Sequence, residues 1–479
     1  MSIFATRARF AALGLLAAGS ILASQPLVAQ AAFSTLDKTA GAEVRFAAAE
    51  RGQPILAGSE VAVTGENFRP GQQVTLLYGK QPIPGAAFTA NAEGKIEGKL
   101  TVPASAVSGI HPILVVAEGP YHATVTDLKV SPTIPLSGQS GYKLVQADVA
   151  RGLYQSAYSP KTNTLFAASA VGRPPVSQSE LLKLDADSLK VLNRITPAEA
   201  PAPAPRPGAA AAAPGAPAKP SVFAVYGIGV DDTKGTVWVT NTRQNTVAVY
   251  NQADLSLVKQ FAPGTVNHAR DVLVDEPLGK AYASATGTPK VVVFDTGKLD
   301  VLKTIEIKSG QRGKEFSATS LSLDPKAHRL YTVSLSTGEV AVINTQTDAV
   351  EKLFQVPGVR GAIGVSHDPV TGRIFVAAQG SDNLVVLDGV DGKVLADTLI
   401  GAGALNVAFD PVKRRAYVSN RGAGTVAVTD VDGKIVANLG PAPLANHVSL
   451  GKGGVVYAVD KSANARNVDG DAVLRIQPR

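Results

Sequence analysis

The clearest order in the chain is an alternation of apolar and polar positions that begins near residue 142 and recurs to the end. Its unit is an apolar strand, a turn containing Asp, a second strand with a central aromatic, and a third, alternating strand. DDTKGTVWVTNTRQNTVAVYN from Asp231, DPVTGRIFVAAQGSDNLVVLD from Asp368 and DPVKRRAYVSNRGAGTVAVTD from Asp410 show it best. Short period-two runs broken by Gly, Pro, Asn and Asp specify strands, and no long stretch carries an apolar period of 3.6 residues. Seven copies align on one aromatic column: Phe166, Trp238, Tyr282, Tyr331, Phe375, Tyr417 and Tyr457. Aromatics make up only 5% of the chain, so a ring in all seven copies marks a position that requires bulk.

Successive members of the column lie 72, 44, 49, 44, 42 and 40 residues apart. A period of about 40–45 residues with several strands per unit predicts the blades of a β-propeller. One blade cannot bury both of its faces, so seven must stack around an axis and close. The last copy stops after a third strand, near AVLRIQP, whereas Tyr142–Val149 (YKLVQADV) precedes the first copy without a place in it. That segment is expected to supply the missing outer strand. The one long gap comes from residues 197–220, of which 19 in 24 are Ala or Pro. This tract reads as a disordered or polyproline-like insert with no function of its own.

Two polar columns accompany the aromatics. Ser159, Asp231, Asp275, Asp324, Asp368 and Asp410 stand seven residues before them, and Asp185, Asn251, Asp295, Asn344, Asp388 and Asp430 close the third strands. Asp and Asn side chains bond to backbone amides two residues on, so turn formation accounts for both columns without a metal or acid–base role.

Upstream, residues 55–130 hold about seven short alternating strands, which predict a small β-sandwich. Residues 131–141 read as a linker and residues 32–54 as poorly ordered. At the start, Arg7 and Arg9 precede an apolar run from Phe10 to Ala23, and Ala29-Gln30-Ala31 offers small residues for cleavage. Residues 1–31 are therefore expected to be a signal peptide, with a periplasmic or secreted mature protein that has no membrane span. Cys is absent, which excludes disulfides, thiolate metal sites and a cysteine nucleophile.

Charge changes the picture at one face. The chain carries a net +7. In a propeller, loops joining strands 2 and 3 share a face with those joining strand 4 to the next blade. That face would hold Arg173, Arg243, Lys290, Arg421, Lys461 and Arg466 in the first loop set, and Arg270, Lys308, Arg312, Lys314 and Arg360 in the second. Its acids are Glu180, Glu315, Asp382 and Asp460. Eleven residues before the aromatics stand Gln155, Gly227, Asp271, Ser320, Gly364, Asn406 and Asn446, with His268 and His447 close by. Amides beside arginines suit an anion held by charge-assisted hydrogen bonds. The candidate ligand-binding residues are Arg243, Arg270, Arg421, Asn420, His268, Asn406 and Asn446. The six His residues show no i, i+4 zinc spacing, and no nucleophile elbow or phosphate loop occurs, so no catalytic or metal residue is assigned.

WVTNTRQNTVAVYN (Trp238 to Asn251) and YVSNRGAGTVAVTD (Tyr417 to Asp430) resemble the repeat of the YVTN, or YncE-like, family of exported seven-bladed propellers. GSEVAVTGENFRPGQQVTLLYG, with its turn at Phe68, Pro70 and Gly71, resembles bacterial immunoglobulin-like modules of the IPT/TIG kind. Together these imply an all-β protein, a seven-bladed β-propeller behind an immunoglobulin-like sandwich. They bring no cofactor and no catalytic set. The expected function is a monomeric, non-enzymatic binding protein that engages an anionic ligand or a protein partner through the basic face. The alternatives are a propeller enzyme of lactonase or metal-hydrolase type and an envelope scaffold acting through the sandwich. Nucleic acid is not favoured, because stacking aromatics interleaved with the basic residues are not evident.

Overall fold

A computed structural model describes residues 41–201 and 221–479. Six consecutive stretches each form a four-stranded antiparallel sheet with its strands in radial order, and a seventh such sheet combines the last three strands with one from ahead of the first blade. Blade 1 comprises Leu153–Ser159, Thr164–Val171, Gln178–Asp185 and Val191–Ile195, and blade 6 comprises Ala404–Asp410, Arg415–Asn420, Thr425–Thr429 and Ile435–Leu439. The aromatic column falls on the second strand of every blade, where each ring is at most 4% exposed. The rings fill the space between adjacent sheets: Trp238 of blade 2 packs on Phe294 of blade 3 at 5.6 Å, and Phe375 of blade 5 stacks on Phe409 of blade 6 at 4.8 Å. Such pairs add about 0.5–1.5 kcal/mol each beyond the area they bury.

Blade 7 completes the ring from both ends of the propeller sequence. Tyr142–Ala150 pairs antiparallel with Asp471–Pro478, outside Ala445–Leu450 and Val456–Asp460. The outer strand of the last blade thus comes from ahead of the first, which makes closure a long-range event.

The turn carboxylates are occupied locally. Asp231 Oδ1 accepts from Lys234 N at 2.8 Å and Asp410 Oδ1 from Val412 N at 2.9 Å, while Asp368 holds the Arg414 guanidinium of the next blade with both oxygens. In the second column, Asp295 Oδ1 accepts from Lys298 N and Asp430 Oδ1 from Lys434 N.

Seven strands form the N-terminal sandwich. Glu43–Ala48, Glu60–Glu66 and Ile96–Thr101 make one sheet, and Gln81–Thr89, Gln73–Tyr78, Gly109–Glu118 and His122–Val130 make the other. Val61, Val63, Leu76, Ile113 and Val115 fill the space between.

Three segments differ from expectation. Glu43–Ala48 lies within the stretch expected to be poorly ordered, yet it pairs along its whole length with Glu60–Glu66 and buries Val44. Residues 131–141 are seated on the propeller. Ser131 Oγ donates to Asp382 Oδ2 at 2.6 Å, and Ser137 exchanges two backbone bonds with Asn438. The start of the Ala/Pro tract is also paired, since Ala200 N donates to Ser221 O and Phe223 N to Ala198 O, so the ends of the insert are held side by side. The rest of that tract and the expected signal peptide lie outside the described residues. Among the described residues, no helix is long and apolar enough to cross a membrane.

Candidate functional site

The inner strands set the site. In blades 1 and 3 to 7, the pairing of the innermost strand with its neighbour slips near the end that faces the basic loops. Tyr154, Ile363, Leu405 and Asn446 are each an extra residue at such a bulge, and Arg270 and Asp271 together oppose Ser284. A bulge bends the strand and re-aims side chains, so successive residues can face the axis where regular alternation would present one of them. Tyr154, Arg270, Ile363, Leu405 and Asn446 all line a cavity of about 250 Å³ in the mouth of the ring.

Six of the seven residues expected from sequence border that cavity: Arg243, His268, Arg270, Asn406, Arg421 and Asn446. Asn420 does not. It is fully buried, and its Nδ2 donates to Ile400 O at 2.8 Å, so the Asn at the end of the second strand braces the neighbouring loop. Asn241 does the same in blade 2, donating to Phe223 O and Ala224 O.

The polar ring eleven residues before the aromatics is partly structural. Gln155 Oε1 accepts from Ile228 N, Asp271 Oδ2 from Leu321 N and Asn406 Oδ1 from Val448 N, each bond joining one inner strand to that of the following blade. Gly227 occupies this column because the blades nearly touch: a Cβ there would stand 2.2 Å from Arg270 O. Two of the acids expected to face the mouth are likewise engaged. Asp382 pairs with Lys129 of the sandwich at 2.8 Å, and Asp460 accepts from Leu444 N and Ser462 Oγ.

What remains in the cavity is positive or neutral. Arg421 Nη1 donates to Asn446 Oδ1 at 3.3 Å, and the Arg243 guanidinium stands 5.9 Å from the centre of the Tyr226 ring. Arg270 lies deeper. Its Nε is buried without a hydrogen-bond partner, and burial lowers its pKa against the opposing pull of the Asp271 charge. Burial raises the pKa of Asp271 in turn. His447 is pushed down to about 3 by burial and by the nearby Arg270 charge. Its Nδ1 faces Ser156 N at 3.4 Å, which leaves the proton of the neutral ring on Nε2 as a donor. Burial, Arg243 and Arg270 lower the pKa of His268 in the same way. No Asp or Glu is among the residues lining the cavity.

No family model matches the chain. Proteins named YncE from Escherichia coli O157:H7 and from strain K12 are 25% identical to it over 271 and 272 residues, covering 54% of this chain and 68% of theirs. Among solved structures, virginiamycin B lyase from Staphylococcus aureus superposes with a TM-score of 0.51 at 12% identity, covering 70% of this chain and 99% of its own. Kuenenia stuttgartiensis hydrazine synthase gives 0.52 at 16% identity over 66% of this chain and 94% of its own, and U3-55K gives 0.53 at 11% over 71% and 99%. The chain is a β-propeller with distant sequence similarity to the YncE proteins. At these identities the solved structures speak for the fold alone, and their names are of unlike kinds.

Within this propeller, the signal that sequence reading missed stands one residue ahead of the polar column. Twelve residues before the aromatics lie Tyr154, Tyr226, Arg270, Ile363 and Leu405, all of which line the cavity. Tyr154 and Tyr226 pack edge to face at 4.6 Å, which places an aromatic wall beside the arginines. A second constellation lies toward the opposite face. Ser322 Oγ is 2.9 Å from His367 Nδ1, and Asp324 Oδ2 is 3.6 Å from Nε2. The His367 ring stacks on Tyr331 at 5.0 Å and joins blades 4 and 5, and none of the residues that line the mouth cavity belongs to this group. Among the described residues, no group of three or more His, Asp or Glu side chains could hold a metal ion.

Proposed function

We propose that this YncE-like propeller is a binding protein that takes a small anion into the mouth of its ring. The observation that carries the reading is the convergence of Arg243, Arg270 and Arg421, from blades 2, 3 and 6, on one cavity lined by no carboxylate. Three cations there repel one another, and the Arg270 Nε forgoes a bond that a buried polar group ordinarily makes. A bound carboxylate or phosphate relieves both costs, and each charge-assisted bond contributes about 1.5–3 kcal/mol. The neutral His447 adds a donor that does not depend on pH above its low pKa. A cavity of about 250 Å³ suits a small metabolite in place of a polymer.

In this reading the protein is a monomer, exported after loss of residues 1–31, and acts without catalysis. The sandwich is an immunoglobulin-like spacer. Lys129 and Ser131 on Asp382, and Asp127 on Arg360, fix it to the rim of blade 5. The test is a thermal-shift series of the mature chain with phosphate, oxalate and succinate. The reading predicts stabilisation that weakens with added salt and disappears in R243Q/R270Q/R421Q. Equal shifts in that variant would overturn it.

A further inference from the structure

One basic side chain beside the cavity has neither an anionic partner nor a hydrogen-bond acceptor among the described residues. Lys461 follows the second strand of blade 7, and its Nζ stands 3.4 Å from the centre of the Tyr154 ring, the same ring that forms a wall of the cavity. The two nearby carboxylates are already occupied. Asp460 accepts from Leu444 N and Ser462 Oγ, and Asp471 accepts from Ala463 N, Gly152 N and Leu153 N. Arg421, from blade 6, opposes a positive charge on the amine, while Asp471 favours it. The Tyr154 ring face, from blade 1, also favours the charged amine, and Arg466 of the following turn is turned to Asp148.

We propose that Lys461 is a nucleophilic amine that captures a small carbonyl compound bearing a carboxylate or phosphate, whose anionic end the cavity arginines hold. This rests on the anion-binding reading of the same cavity and adds a covalent step to it. The amine lone pair adds to the carbonyl carbon, the carbonyl oxygen takes up a proton, and loss of water leaves an imine on Nζ. Amine and carbonyl become imine and water with no change of oxidation state, and hydrolysis reverses the step. Desolvation beside another cation is a recognised way to keep a lysine uncharged and reactive. Here burial, helped by Arg421, pulls Lys461 down to about 7. At pH 7 about half of it is free amine, against roughly one part in 3,000 for an exposed lysine.

The experiment treats the full chain with glyoxylate or with neutral glycolaldehyde in the presence of cyanoborohydride, which fixes the imine as a secondary amine, and maps the labelled peptides. Glyoxylate is expected to label Lys461 at least about tenfold faster than any other lysine, with half-maximal rate near pH 7. Phosphate should protect the site, and R421Q should slow labelling. If phosphate stabilises the fold but Lys461 reacts no faster than surface lysines, this proposal fails while the anion-binding reading stands. If both aldehydes label Lys461 equally and phosphate gives no protection, the amine is reactive but the anionic ligand class is wrong, and both are overturned.

Discussion

Replacing Arg270 with Met should stabilise the empty protein while weakening its binding, a combination that a purely structural arginine does not produce. Arg270 is set at the bulge between Ala269 and Val272, and no acceptor serves its buried Nε. An unsatisfied buried donor costs about 1–3 kcal/mol, and Met fills similar volume without that cost. For the roughly 340-residue ring, a melting entropy near 2.1 cal/mol/K per residue converts this gain to a rise of about 1.5–4 °C in Tm. Asp271 is the opposing term, because it loses the neighbouring positive charge. Its oxygens keep the amides of Val272 and Leu321, which hold the carboxylate in place in the variant. Loss of one charge-assisted bond should weaken phosphate by about 1.5–3 kcal/mol, or roughly 10- to 150-fold in Kd. Calorimetry with and without phosphate reads both effects. A variant that melts several degrees lower and binds phosphate as before would show that Arg270 holds the ring together instead.

Three further outcomes follow from particular contacts. A chain beginning at Arg151 lacks the outer strand of blade 7 and should lose its cooperative thermal transition, whereas one beginning at Tyr142 should keep it. Asp382→Ala removes a 1%-exposed carboxylate that holds Lys129, Ser131 and Gly403 N. It should cost about 3 kcal/mol and expose residues 131–141 to protease, and unchanged resistance would refute the docking role. Because the folded pKa of His447 lies below its ordinary 6.5, the unfolded chain binds the proton first. The His447 contribution should thus be complete above pH 6.5 and decline as pH falls toward 3, by about 0.5–1 kcal/mol per unit after allowance for partial exposure. H447Q should flatten that slope in denaturant titrations, and an unaltered slope would assign it to other groups.

The seven blades were legible because their signal repeats: one aromatic per copy, Asp at the first turn of five copies, and a third strand without a fourth at the end. The orphan segment at Tyr142 was readable for the same reason, since it matched no place in the first copy. The site was half legible. Loop position put Arg243, Arg270 and Arg421 at the mouth, and the polar column eleven residues before the aromatics put Asn406 and Asn446 there. Strict alternation hid Tyr154, because a bulge that turns neighbouring residues to one side leaves no mark in the apolar pattern, and Tyr226 lies ahead of the inner strand Ile228–Asp231, outside any alternation. Asn420 misled for the opposite reason. An Asn at the end of a strand carries the same polarity whether it meets ligand or caps Ile400 O, and only the bond partner distinguishes them. The strand at Glu43–Ala48 was missed because only Val44 is buried and Glu43, Arg45 and Ala47 are exposed, as suits a sheet edge. The seating of residues 131–141 depends on Asp382 and Asn438, some 250 and 300 residues away, and no local pattern encodes such a partner.

The decisive question is whether an anion occupies the mouth of the ring. Anomalous diffraction from crystals soaked in selenate, at a concentration that shifts the melting temperature in solution, would locate it. A dominant peak is expected within hydrogen-bond reach of Arg270 and Arg421, reduced by competing phosphate. Selenate found only on surface lysines, with the mouth holding none, would contradict the anion-binding reading.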